Sequence, residues 1–155
     1  MEKIRLLLVD DHAVVRLGLL TLLEDLSWLE IAGEAGTAAE AITAVSELQP
    51  DVVLMDIRLP DQSGIVACAT ITSRWPQTRV IMLTSYADDG LIRQAQQAGA
   101  SCYIPKVVGN KPLIEALERM KEGELELDPT ATQESIAQYR QALRERSGSK
   151  FAALS

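Results

Sequence analysis

The chain has 155 residues, enough for one domain with its own core plus an appendage. Hydrophobic residues make up 47%, which excludes disorder for most of the chain, and aromatics only 4%, which leaves the core to aliphatic packing. The formal net charge of −7 argues against gripping nucleic acid unaided, because such binding is driven by neutralising phosphates.

The first apolar run, Ile4-Arg5-Leu6-Leu7-Leu8-Val9, predicts a strand over about Lys3–Val9 and ends in Asp10-Asp11. A helix follows over about Ala13–Asp25, with Val14, Leu17, Leu20 and Leu23 as its apolar positions. A second strand is predicted over Leu29–Gly33, and a second helix over Ala38–Leu48. That helix opens at Thr37 with Glu40 three residues on, a capping-box pattern, and stops before Pro50. The third strand, Asp51–Met55, ends in Asp56. The loop Leu59-Pro60-Asp61-Gln62-Ser63-Gly64 then leads into a third helix reaching about Arg74. The fourth strand, Arg79–Leu83, ends in Thr84. The fourth helix runs over about Asp88–Ala98 with Gly99 at its C′ position. Tyr103-Ile104-Pro105 closes the fifth strand, Ser101–Ile104, and ends in Lys106. A fifth helix spans about Pro112–Lys121, with Pro112 in its first turn.

Strands alternating with helices predict an α/β fold: a doubly wound (βα)5 parallel sheet with the flavodoxin-like strand order 2-1-3-4-5. Helices on both faces explain why the strands are apolar throughout rather than alternating. A domain over residues 1–123 is expected. A linker over 124–155 follows, with one largely polar helix at about 131–146 whose apolar seam is Ile136, Tyr139 and Leu143. No apolar stretch approaches the about 20 residues of a membrane span, and the apolar run after Glu2 and Lys3 is too short for a signal peptide. Cys68 and Cys102 lie in apolar segments without metal-ligand spacing and read as reduced core residues. A cytoplasmic protein without membrane attachment is expected.

In a parallel sheet every strand's carboxyl end lies on one edge, so Asp10, Asp11, Asp56, Thr84 and Lys106 should converge. Alone, an Asp-Asp pair is a turn or cap, a Thr is loop chemistry and a Lys is solvated. Jointly, at the ends of the first, third, fourth and fifth strands, they form a phosphorylation site. Asp56 is the nucleophile toward an activated phosphoryl group, giving an aspartyl phosphate. Asp10 and Asp11 bring Mg²⁺, which takes carboxylate and phosphate oxygens and offsets the clustered negative charge. Lys106 offers a point positive charge and Thr84 a hydroxyl for phosphate oxygens. His12, the sole histidine, reads as a capping and packing residue beside the metal.

These residues carry a resemblance. Leu8-Val9-Asp10-Asp11-His12, Leu54-Met55-Asp56-Ile57-Arg58-Leu59-Pro60-Asp61 with Gly64, Met82-Leu83-Thr84-Ser85, and Gly99-Ala100-Ser101-Cys102-Tyr103 leading to Lys106 resemble the receiver domain of a two-component response regulator over residues 3–123. Val-Asp-Asp-His, Leu-Thr-Ser-Tyr and Gly33-Glu34-Ala35 are most similar to the subfamily with a LuxR-type helix-turn-helix output domain. The resemblance implies a sensor histidine kinase as phosphoryl donor. It implies metal ligation by Asp10 or Asp11, Asp56 and the backbone carbonyl of Arg58. It also implies a shift of Thr84 toward the phosphate and an inward rotation of Tyr103, with Arg58 and Tyr86 flanking the site. The driver is an added charge of about −1.5 to −2.

Many receivers carry proline directly after the lysine. Here Pro105 precedes Lys106 and Val107 follows it, so the end of the fifth strand is expected to depart from the common pattern. Phe151–Ser155 resembles the entry to the DNA-binding domain, so the chain reads as a receiver and linker cut at the output boundary, with DNA contacted only through the missing domain. A homodimer is expected, the linker seam pairing with a second copy or docking on its own receiver. Three other readings compete: a stand-alone interaction module, a metal-dependent phosphohydrolase and a flavin-binding sandwich. Ile57-Arg58 supplies no general acid after Asp56, which weighs against the hydrolase. Asp10-Asp11 would repel a flavin phosphate after the first strand.

Overall fold

The computed structural model describes residues 3–84, 89–105 and 111–122. Lys106, Tyr86 and the predicted linker helix lie outside the described residues. Within them β1 (Ile4–Val9), α1 (Ala13–Glu24), β2 (Leu29–Ala35), α2 (Ala38–Leu48), β3 (Val52–Met55), α3 (Gly64–Arg74), β4 (Arg79–Thr84), α4 (Asp89–Gln97), β5 (Cys102–Pro105) and α5 (Lys111–Lys121) follow in order. The strands form one parallel sheet in the order β2-β1-β3-β4-β5, the predicted flavodoxin-like arrangement.

Alternation along each strand divides the core in two. Leu7, Val9, Val53, Met55, Val80, Met82 and Tyr103 pack against α2, α3 and α4. Leu6, Leu8, Val52, Leu54, Ile81, Leu83, Cys102 and Ile104 pack on the other face with Leu23 of α1 and Leu113 and Leu117 of α5. A fully buried aliphatic side chain contributes about 1.5–3 kcal/mol, so this double layer holds the sheet between its helices with little help from aromatics. Cys68 and Cys102 are both buried and form no disulfide, and burial pushes the Cys68 thiol up to about 12, which keeps it protonated and inert.

Differences from expectation are local and have physical causes. β2 runs two residues past Gly33, because the β1–β2 register shifts between Leu6 and Leu7 and the strand resumes at Leu7–Gly33. A glycine inside a strand marks such an irregularity as readily as a strand end. Here it also admits the Leu48 side chain: a Cβ on Gly33 would lie 2.8 Å from Leu48 Cδ1. On α1, Val14 and Leu17 are 84% and 65% exposed, and the helix buries Leu23 with Leu19 and Leu20 packed beside it. A strict spacing of three drifts by about 60° per step on a helix of 3.6 residues per turn, so Val14 and Leu23 face opposite ways. Pro105 does not interrupt β5: it pairs with Thr84 on the edge strand, where a missing donor is tolerated. Gly99 follows α4 at φ +89, the left-handed position expected of it. No described helix is long and apolar enough to cross a membrane.

Candidate functional site

β1 and β3 are neighbours, but the helix after β1 covers one face of the sheet and the helix after β3 the other. Their carboxyl ends therefore flank a crevice, the place where open α/β sheets bind ligands. Asp10-Asp11 follows β1 and Asp56 follows β3. The sheet ladder reaches into these residues. The Asp10 N–H donates to the Ala35 carbonyl at 3.0 Å, and the Asp56 N–H to the Val9 carbonyl at 3.1 Å. Both side chains are thus fixed by backbone already paired, and both are buried, Asp10 at 2% and Asp56 at 7% exposure.

One carboxylate oxygen from each of Asp10, Asp11 and Asp56 and one ring nitrogen of His12 lie within 4.8 Å of one another. Two unit charges 4 Å apart interact by about 4 kcal/mol at an effective dielectric of about 20. Three carboxylates at such separations call for a compensating cation. The donors are hard oxygens set at two strand ends, of the kind that could hold a hard metal cation. His12 is the N-cap residue of α1, yet its side chain makes no capping bond. Its ring, 64% exposed, instead places Nδ1 3.2 Å from Asp10 Oδ1 and 3.0 Å from Asp11 Oδ1. The expected cap position and the place beside the acidic pair are thus found, but the side chain turns to the two carboxylates rather than to the helix N–H groups. The His12 backbone N–H adds a 2.9 Å bond to Asp10 Oδ1.

The β3–α3 loop builds the far wall. The Arg58 N–H donates to Asp56 Oδ1 at 3.3 Å, and Arg58 forms an antiparallel bridge with Ser63. Ser63 caps α3, its Oγ accepting from the Ile65 N–H at 3.1 Å. Gly64 donates to the Ile57 carbonyl at 2.6 Å. A Cβ on Gly64 would sit inside the Asp56 carbonyl oxygen, so only glycine lets α3 begin this close to the phosphoacceptor candidate. Asp61 has a role that its place in the loop motif does not reveal. Its carboxylate accepts from the first two N–H groups of α2, Ala38 at 2.8 Å and Ala39 at 2.9 Å. These backbone bonds hold the Asp61 carboxyl below its usual value, and they tie the loop to the α2 N-terminus. Its partners lie 23 and 22 positions away, which hides the contact from sequence reading. Thr37 caps α2 by accepting from the Glu40 N–H at 3.1 Å, while Glu40 reaches the Gly36 N–H at 2.9 Å instead of Thr37.

The β3–β4 register pairs Met55 with Met82, so Asp56 lies one step and Thr84 two steps beyond that pair on the same edge. Thr84 is fully buried. Tyr103 pairs with Met82 in register and is 1% exposed, packed in the core on the α2–α3–α4 face. Its ring thus already occupies an inward position. The fold brings Asp10, Asp11, His12 and Asp56 together and sets Thr84 at the same edge.

Residues 6–118 match the response regulator receiver domain family. The chain belongs to that family. It is 41% identical over 139 residues to the DNA-binding transcriptional activator DevR/DosR of Mycobacterium tuberculosis, covering 90% of this chain and 64% of that protein. It is 35% identical over 143 residues to the response regulator protein VraR of Staphylococcus aureus, covering 92% of this chain and 66% of VraR. The chain therefore spans about two thirds of these curated relatives. A LuxR-family two-component response regulator from Aurantimonas sp. SI85-9A1 superimposes with a TM-score of 0.77 at 33% identity, over 90% of this chain and 99% of that one. The response regulator domain of Thermotoga maritima CheB does so with a TM-score of 0.71 at 33% identity, over 83% of this chain and all of that one. The chain is a receiver domain of the LuxR-family response regulators.

Two outcomes are expected from the loop. Gly64→Ala displaces the Asp56 backbone; overpacking of this kind costs about 1–3 kcal/mol in urea unfolding, and it weakens divalent-cation binding in the same variant. Asp61 has a lowered carboxyl pKa, so its contribution to stability is fully present above the unfolded value near 3.8 and is lost as pH falls through the lower folded value. The stability gap between wild type and Asp61→Asn, measured by denaturant titration, is accordingly constant at neutral pH and closes in the acid range below 3.8.

Proposed function

We propose that this chain is the phosphoacceptor receiver of a response regulator, and that Asp56 carries the phosphoryl group. The observation that carries this reading is the convergence of three carboxylates at the β1/β3 switch point. A sensor histidine kinase is the donor. An Asp56 carboxylate oxygen attacks the phosphorus of its phosphohistidine; the new O–P bond forms as the N–P bond breaks, and the released imidazole takes a proton from solvent. Asp10, Asp11, Asp56 and the Arg58 backbone carbonyl would hold Mg²⁺. When bound, this ion neutralises charge on the carboxylates and on the incoming phosphoryl oxygens. Thr84 and Lys106 bind phosphate oxygens, and Tyr103 is the aromatic reporter of the switch. Phosphoryl transfer needs positioning and charge compensation more than covalent machinery, and this set supplies both.

The role is regulatory rather than that of a turnover enzyme, and the protein acts in the cytoplasm. The receiver occupies residues 1–123, and residues 124–155 lead to a LuxR-type output domain that binds DNA in a transcription-regulating homodimer. The length of DevR/DosR and VraR beyond the matched region supports such an output. A charge of about −1.5 to −2 added at Asp56 biases the switch.

Incubated with acetyl phosphate and Mg²⁺, the wild-type chain is expected to gain one phosphoryl group by intact mass. Asp56→Asn gains none, and neither does wild type in chelator. A wild-type chain that stays unmodified with Mg²⁺ present, or an Asp56→Asn chain that is modified equally, contradicts the assignment.

A further inference from the structure

We infer that Arg16 is a positioning residue for the divalent cation, acting through the backbone of Asp10; the inference rests on the cation reading of the acidic site. Arg16 lies on α1, one turn beyond the acidic pair, and its N–H continues the helix from the His12 carbonyl at 3.0 Å. Its guanidinium turns back toward the site. Nη1 donates to the Asp10 carbonyl oxygen, and Nε faces Glu34 Oε1 on β2 at 3.4 Å. Gly36 leaves room for it: a Cβ there would meet Nη1 at 3.4 Å.

Asp10 is thereby held at every polar point of its main chain. Its N–H is bonded to Ala35 of β2, its carbonyl to Arg16, and its carboxylate accepts from the His12 N–H. The carbonyl of Asp10 belongs to the peptide that carries Asp11. Fixing that oxygen fixes the plane of the Asp10–Asp11 peptide, and so the direction in which Asp11, the most exposed of the three carboxylates, leaves the chain. Outer partners that orient metal ligands typically change affinity by about 10–100-fold when removed.

The chemistry requires arginine in particular. A planar guanidinium presents donors in several fixed directions, so one side chain reaches a carbonyl at the end of β1 and a carboxylate on β2 together. Lysine keeps the positive charge but offers a single compact head. The Arg16–Glu34 pair is partly solvent-exposed, at 24% and 45%, and such pairs contribute little to stability. Its value lies in orientation.

The test is Mg²⁺ titration of the folded chain, followed by the backbone amide signals of Asp10 to His12, with a thermal melt of each variant and the acetyl phosphate reaction as a second readout. Arg16→Gln and Arg16→Lys are both expected to raise the Mg²⁺ Kd by about tenfold. The phosphorylation rate should approach wild type again at saturating Mg²⁺. Glu34→Gln, which leaves the Asp10 bond in place, is expected to change the Kd less than either Arg16 variant. Wild-type Mg²⁺ affinity in both Arg16 variants overturns the inference, as does full rescue by positive charge alone in Arg16→Lys. So does a lowered melting temperature with unchanged Kd. If Arg16→Gln fails to fold, Arg16→Lys decides alone, and a wild-type Kd in it overturns the inference. Failure of the wild-type chain itself to bind Mg²⁺ removes the cation reading, and this inference with it.

Discussion

Like charges gathered at the carboxyl ends of two adjacent strands govern the rest of the structure. Asp10, Asp11 and Asp56 place carboxylate oxygens within 4.8 Å of one another, two of them in buried side chains. Left alone, such groups would move apart. The sheet prevents it, because the β1–β3 ladder extends into Asp56 through the Val9 carbonyl, and the β1–β2 ladder into Asp10 through that of Ala35. Core burial on both faces is what makes that ladder rigid. The repulsion at the crevice favours a cation there, and on the proposed reading the cation in turn favours a phosphoryl group. In this sense the aliphatic core and the chemistry at its edge form one device.

The loops around the crevice serve the same end. Gly64 lets α3 start against the Asp56 carbonyl, and Asp61 ties the loop to the α2 N-terminus, so the wall on the β3 side is held at both ends. On the β1 side, His12 and Arg16 press on the acidic pair from its side chains and its backbone. Thr84 and Tyr103 sit on the next strands outward, in register with Met82 and its neighbours, so a displacement at the crevice meets β4 before it meets β5.

Strands buried on both faces leave unbroken apolar runs, and this is why the strands and the convergence of Asp10, Asp11 and Asp56 at their ends are legible from sequence, while the strand order comes with the family resemblance. Caps and helix ends are legible where a local rule applies, as at Thr37 and Gly99. What escapes depends on contacts between distant positions or on angular detail. Arg16 looks like any solvated helix residue until Glu34 and the Asp10 carbonyl are brought to it. Asp61 looks like a turn residue until α2 arrives. Val14 and Leu17 share a spacing with Leu23 but not a face. The position of His12 points to a cap, and its ring answers to charge instead. The extension of β2 past Gly33 follows from a register shift that only the pairing with β1 defines.

The most direct test of the account is chemical location of the phosphoryl group. After reaction with acetyl phosphate and Mg²⁺, borohydride reduces an acyl phosphate to the corresponding alcohol, and peptide mass mapping reports the residue. The expected product is homoserine at position 56, dependent on both reagents. Homoserine at position 10 or 11, or a phosphoryl group retained on His12, would contradict it.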